Sequence, residues 1–341
     1  MRDGLQRLGI AFSDLKSLDG APPEGCRVLV LSGTRPPVKE ADKETIRRFV
    51  EGGGAVLAVG GGARCLIDLG LFDAGAYTMT GTTLHNTSLD GCHRLTFGYP
   101  AGVPDLLRAT DGPFMEVGPR ATSIIRAGGP YSLAAIQRLG KGYLLSIGAD
   151  PQGGRLFTDV DKFRPVSGKA QKTDGLLANA IAFLLDPRGN LIPDPGFEDA
   201  LPYWEVTARG GARSERLKNG AAEGKVCLKL ACPGAKATAE ARPARPVVIE
   251  RGETYTFRCQ YKATAPWKVS WQFVKAPGRN ETFESGPVVD VPASEEWRRF
   301  DGTLIAPSDV AYVRPVLSVQ GTGELLLDAV TLSLDGESGQ P

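Results

Sequence analysis

Asn190-Leu-Ile-Pro-Asp-Pro-Gly-Phe-Glu-Asp199 divides this 341-residue chain into two kinds of sequence. Before it, continuous apolar runs alternate with helix-like periods; after it come short strand-like segments only, so the stretch marks a change of fold. Asp186-Pro187-Arg188-Gly189 stops the helix that precedes it. Pro193 and Pro195 withhold two backbone donors and fix φ, which predicts an extended edge segment from Leu191 to Phe197 that opens a second domain. The length allows two domains, each with its own core, and the expected division is 1–188 and 189–336.

After the boundary, apolar residues alternate within Lys225 to Ala231, Thr254 to Ala263, Trp267 to Lys275, Arg298 to Ala306, Ala311 to Val319 and Glu324 to Leu334. Gly, Pro and Asn separate these segments, and no helical period intervenes, which predicts an antiparallel β-sandwich. Tyr255, Phe257, Cys259 and Tyr261 share one face of their strand and are expected in its core.

The opening decamer, with Trp204 close behind it, resembles the start of family 4/9-type carbohydrate-binding modules. Glu296-Trp297-Arg298-Arg299-Phe300 and Leu325-Leu-Leu-Asp328-Ala329-Val330 match the usual end of those modules. The resemblance implies a galactose-binding-like jelly roll that takes a glycan or polysaccharide, and it places Trp204 and Trp297 in the core. It also implies a structural Ca²⁺ held by Glu198 and Asp328 with backbone carbonyls, a suitable set of hard oxygen ligands. Ala329 stands where many relatives carry a second acid. The plainer alternative is a pair of solvated carboxylates at strand ends.

Sugar rings stack on flat apolar side chains while nearby polar groups read their hydroxyls. Trp267 and Trp271 share one strand face with Val269 and Phe273; Lys268, Ser270 and Gln272 line the other. If the aromatic face is inward, both tryptophans are core. If it borders a concave cleft, they form a binding platform, with Gln272, Arg314 and Gln320 supplying hydrogen bonds.

In the first half, Arg27 to Ser32 and Ala55 to Val59 read as strands buried on both faces, with a helix between them ended by Gly52-Gly53-Gly54. This predicts a right-handed crossover and a flavodoxin-like parallel sheet with flanking helices. The turn Gly60-Gly61-Gly62-Ala63-Arg64-Cys65 resembles the strand-to-helix elbow of the class I glutamine amidotransferase-like superfamily, where a Cys nucleophile sits. That pattern puts the nucleophile position at Gly60, which has no side chain, and no His-x-Glu follows the late strand Tyr143 to Gly148. His93-Arg-Leu-Thr-Phe-Gly98, and the hairpin of Ser132 to Leu139 with Tyr143 to Gly148 around Gly140-Lys141-Gly142, resemble accessory domains of the kind that trimerise family 42 β-galactosidases. A non-catalytic scaffold or homo-oligomerisation unit is the implied role. The rival reading is a divergent hydrolase using a crevice near Gly60 to Arg64, His85 and Asp150. Thr173 to Leu185 is expected to close the domain as a helix, after a surface loop from Gly153 to Lys172. Leu5, Leu8 and Ile10 suggest the end of a helix that in flavodoxin-like folds follows a first strand. The absence of that strand implies a fragment, or a central strand supplied from elsewhere.

The net charge of +1 gives no general attraction to nucleic acid or anionic membrane, and Lys and Arg are scattered among acids. No apolar run approaches the ~20 residues that span a bilayer. The start lacks a signal peptide, yet the implied sugar module points to an extracellular or cell-surface setting within a longer precursor. The cysteines at 26, 65, 92, 227, 232 and 259 show no CxxC pair and no zinc-ligand spacing, which leaves the redox compartment open; the plain reading is mostly buried thiols with one disulfide among them or none.

Overall fold

The computed structural model describes residues 1–15, 17–18, 20–33, 38–78, 88–89, 91–97, 113–126, 129–148, 175–199, 203–276 and 282–335. His85, Asp150 and the expected loop over 153–172 lie outside them. The chain forms two compact units, Met1–Asp90 with Arg94–Pro187, and Gly91–His93 with Arg188–Pro341.

The first unit contains, in order, α1 (Arg2–Arg7), β1 (Val28–Gly33), α2 (Lys43–Glu51), β2 (Ala55–Gly60), α3 (Gly61–Asp68), β3 (Ala74–Thr78), β4 (Ser88–Leu89), β5 (Pro113–Val117), β6 (Ala121–Arg126), β7 (Ser132–Leu139), β8 (Gly142–Ile147) and α4 (Gly175–Leu185). One sheet of order β1-β2-β8-β7-β5-β3 carries β6 on β7 and β4 on β6. All six residues of β2 are buried, as a strand covered on both faces requires. Its alternate side chains enter two separate cores. Ala55, Leu57 and Val59 join Leu5 of α1 and Leu177 of α4; Val56 and Ala58 join Ile46 and Val50 of α2 and Leu66 of α3.

Among the described residues of the first unit, the parallel strand pairs are β1–β2 and β2–β8. The other described strand pairs of this sheet are antiparallel, so the sheet is mixed rather than flavodoxin-like throughout. β7 and β8 are joined by the two-residue turn Gly140-Lys141, and strands joined so closely can only pair antiparallel. The hairpin expected around Gly140-Lys141-Gly142 is present, with Leu139 opposite Gly142 and Ala134 opposite Ile147. β2 pairs directly with β1 on one side and β8 on the other.

Arg94 donates through Nη1 to the Asp186 carbonyl, and Arg27 donates to the Leu185 carbonyl. Two cations thereby meet the unpaired carbonyls at the α4 C-terminus, where the helix dipole favours positive charge. From the same helix Asn179 donates to the carbonyls of Leu95 and Phe97, at 3.1 and 2.8 Å.

The second unit is all β: β9 (Trp204–Arg209), β10 (Arg213–Leu217), β11 (Cys227–Cys232), β12 (Thr238–Pro243), β13 (Val247–Val248), β14 (Thr254–Ala263), β15 (Trp267–Ala276), β16 (Thr282–Val291), β17 (Ser294–Ile305), β18 (Tyr312–Gln320) and β19 (Gly323–Leu334). They form a five-stranded sheet, β10-β11-β19-β14-β17, and a six-stranded sheet, β16-β15-β18-β12-β9, with β13 also on β18. Tyr255, Phe257, Cys259 and Tyr261 are buried in the core, as their alternation predicts. The opening decamer is not a regular strand but follows β19: Leu191 N–H donates to the Leu332 carbonyl at 2.7 Å, and Val330 N–H to the Pro195 carbonyl at 2.8 Å.

A Cβ on Gly62 would overlap the Leu31 carbonyl, so α3 lies against β1 only because that residue is glycine. Gly62→Ala is expected to cost about 1–3 kcal/mol in chemical denaturation. Gly75→Ala, whose Cβ meets nothing closer than 3.9 Å, should be near neutral in the same measurement.

Candidate glycan-binding face and carboxylate cluster

β15 has two faces, and the structure assigns each. Trp267 and Trp271 point inward and are 1% and 3% exposed. Trp267 lies 5.2 Å from Tyr261 and 6.0 Å from Phe300, ring centre to ring centre. Trp271 meets Phe257 edge to face at 5.3 Å. Neither ring offers a surface to a sugar, and the platform expected at these positions is corrected: both join the inter-sheet core, where the aromatic face of β14 awaits them. Trp204 is partly buried against that core, 4.9 Å from Phe197. Trp297, expected in the core, is only half-buried and donates through Nε1 to the Gly220 carbonyl at 3.2 Å.

The outer face of the six-stranded sheet is then set by register. Gln272 and Arg314 are directly opposite each other on β15 and β18. Arg314 is 5% exposed, and the Gln272 Oε1 is buried with no hydrogen-bond partner. Gln320 is exposed on the same face of β18, six residues from Arg314, about 20 Å along the strand. The structure therefore unites Gln272 with Arg314 and sets Gln320 apart. A continuous polar row crosses five strands: Asp290, Lys268, Ser318, Glu240 and Thr207 are successive partners. Lys268 pairs with Asp290 at 3.4 Å, both well exposed, a contact of little energetic weight in water.

The aromatic side chain that this face does expose is Phe283, at 52%. It pairs with Val274, next to the Gln272–Ser285 pair, so it shares the outer face with Gln272 and Arg314. Val288, 57% exposed and opposite Ser270, continues the apolar strip along β16.

Glu198 and Asp328 are brought together at the start of the unit. A Cβ on Gly196 would lie 3.5 Å from Asp328 Oδ1 and 3.5 Å from Glu198 Cγ. Asp328 is completely buried, so it is not a solvated strand-end carboxylate. Its Oδ2 accepts the Glu223 N–H at 2.8 Å and its Oδ1 the Ala329 N–H at 2.7 Å. Glu198 is exposed, and its Oε1 accepts the N–H groups of Lys225 and Val226, the second at 2.9 Å. Burial pushes the Asp328 carboxyl above the usual range, while the amide donors hold Glu198 below it. Asp194 is pushed up to about 6, chiefly by burial. Sequence reasoning missed the glycine behind this arrangement. Gly224, at φ 67°, lets the turn bring its N–H groups onto both carboxylates.

In the first unit, Gly60 takes φ 59°, ψ −119° at the β2–α3 elbow. Glycine at this position presents no side chain as a nucleophile. Cys65 lies inside α3 with its thiol pushed up by burial, and in the second unit burial pushes Cys92 up to about 12. All six cysteines are free thiols.

No protein-family model matches this chain, and no curated protein is similar to it. Solved structures are: the enzymatically active domain of tailspike protein 4 from bacteriophage CBA120 is 16% identical over 43% of this chain and 21% of its own, with a TM-score of 0.37. The chain spans about a fifth of that protein's length. A family 16 carbohydrate-binding module is 19% identical over 42% of this chain and 99% of its own, with a TM-score of 0.32. The C-terminal family 22 carbohydrate-binding module of a Clostridium thermocellum protein is also 19% identical, over 42% and 91%, with a TM-score of 0.31.

Because Trp267 fills the space between the sheets, Trp267→Ala is expected to lose about 3–5 kcal/mol of stability in urea unfolding. A variant that melts like the wild type would place the ring outside the core.

Proposed function

We propose that this chain binds a glycan on the outer face of the six-stranded sheet, along the β15–β16 edge. The observation that carries the reading is Phe283, a half-exposed aromatic ring beside the Gln272–Ser285 pair on a face otherwise rich in hydrogen-bonding groups. A sugar presents apolar C–H faces and a rim of hydroxyls. Phe283 and Val288 would take the first, while Ser270, Gln272 and the Lys268–Asp290 pair stand beside them for the second. The resemblance of the opening decamer and of the Trp297 and Asp328 segments to carbohydrate-binding modules supports the same class of ligand.

The first unit is proposed as a non-catalytic scaffold. Gly60 supports this reading, since the elbow that would carry a nucleophile has no side chain to offer. Burial of both tryptophans is also what a sandwich without a sugar site would show. Phe283 is the feature that favours recognition over a purely structural role.

The test is affinity electrophoresis of the full chain in gels containing soluble glucans, xylans, mannans or galactans. Retardation by at least one polymer is expected. Phe283→Ala should weaken it by about tenfold, which corresponds to about 1.4 kcal/mol of ring stacking, with the melting temperature unchanged. Retardation by none of the polymers, or equal retardation of the variant, overturns the assignment.

A further inference from the structure

The residues expected to hold calcium are already occupied by donors of the opposite kind. Residues 222–226 wrap around two carboxylates. The amides of Ala222 and Glu223 point at Asp328, and those of Lys225 and Val226 converge on Glu198 Oε1. Between the two pairs lies Gly224 in the left-handed region, where a Cβ would overlap the Glu198 Oε1. Successive backbone N–H groups converging through a left-handed residue make a concavity that favours negative charge. A Ca²⁺ site requires the reverse, six to eight oxygens directed at one point. Around the cluster the remaining amides do the same work. Ala329, at φ 49°, donates to Asp328 Oδ1, while Glu198 and Asp199 donate to Asp194 Oδ1 at 2.6 and 3.2 Å. Among the described residues no three Asp, Glu, His or Cys side chains are placed to hold one ion. The residues present do not fit calcium.

We infer that residues 222–226 form an anion nest that closes the β-sandwich by gripping Glu198 and Asp328, and that this clasp takes the place of a bound cation. The clasp joins three distant parts of the unit: the opening decamer, the turn before β11 and the last strand. Asp328, buried in β19, is its fixed post. Glu198 ties the opening segment to the same turn. Arg216 from β10 adds a donor to the Phe197 carbonyl beside it.

The experiment is thermal melting of the full chain in EDTA and in millimolar CaCl₂, with isothermal titration by CaCl₂ as an independent readout. For the wild type, the two midpoints are expected to agree within about 1 °C, with no saturable heat, since a ligand present far above its Kd would raise the midpoint by several degrees. Glu198→Gln keeps one amide-accepting oxygen and should melt close to the wild type in either buffer. Glu198→Ala and Gly224→Ala should melt several degrees lower, equally in both. A calcium-dependent rise of several degrees in the wild type that Glu198→Gln abolishes overturns the inference. So does a Gly224→Ala variant that melts like the wild type. Should Gly224→Ala fail to fold, the comparison of wild type with Glu198→Gln decides alone. None of these readouts depends on sugar binding.

Discussion

A β-strand has two faces, and in the second unit the filling of the space between the sheets settles which of them turns outward. Trp267 and Trp271 lie against Tyr261 and Phe257, two aromatic side chains of the facing strand. Once those rings are inside, every even-numbered residue of β15 from Lys268 to Val274 must point the other way, and pairing carries that choice to β16, β18, β12 and β9. A one-residue slip of β15 would bury Lys268 and expose both indoles. The cost of such an exchange, several kcal/mol per desolvated charge, is what fixes the register.

The first unit obeys a different constraint. Its central strand has no polar face, so it needs helices on both sides, and it obtains them from α1 and α4 on one side and α2 and α3 on the other. The long apolar run over residues 55–59 announces this in the sequence. The antiparallel part of the sheet is harder to read there, because a buried strand in a parallel pair and one in an antiparallel pair have the same composition. Only the glycine turn at Gly140 and Gly142 distinguishes them, and it correctly marks β7 and β8 as a hairpin.

In the sandwich, the period-two pattern of Tyr255, Phe257, Cys259 and Tyr261 was sufficient to identify a core face. The same pattern in Trp267 and Trp271 left two readings open, because an aromatic strand face that packs on a sheet and one that packs on a sugar look alike in isolation. Phe283 escaped notice for a different reason. Its strand is an edge, exposed on most of its residues and interrupted by Gly286-Pro287, so it shows no alternation from which to recognise it. The pairing of Glu198 with Asp328 was legible through motif resemblance. What those carboxylates accept was not, since backbone amides leave no mark in the sequence beyond the single glycine that aims them.

The elbow after β2 also bears on how much stability the first unit retains. Enzymes that place a nucleophile at such a turn force a residue with a Cβ into a left-handed backbone, at a cost on the order of 1–3 kcal/mol, and accept the loss in exchange for reactivity. Gly60 adopts the same sharp geometry, at φ 59°, without that penalty. With glycine at this position the unit keeps the bend and the close helix packing it permits, together with the stability that a residue carrying a Cβ would forfeit there.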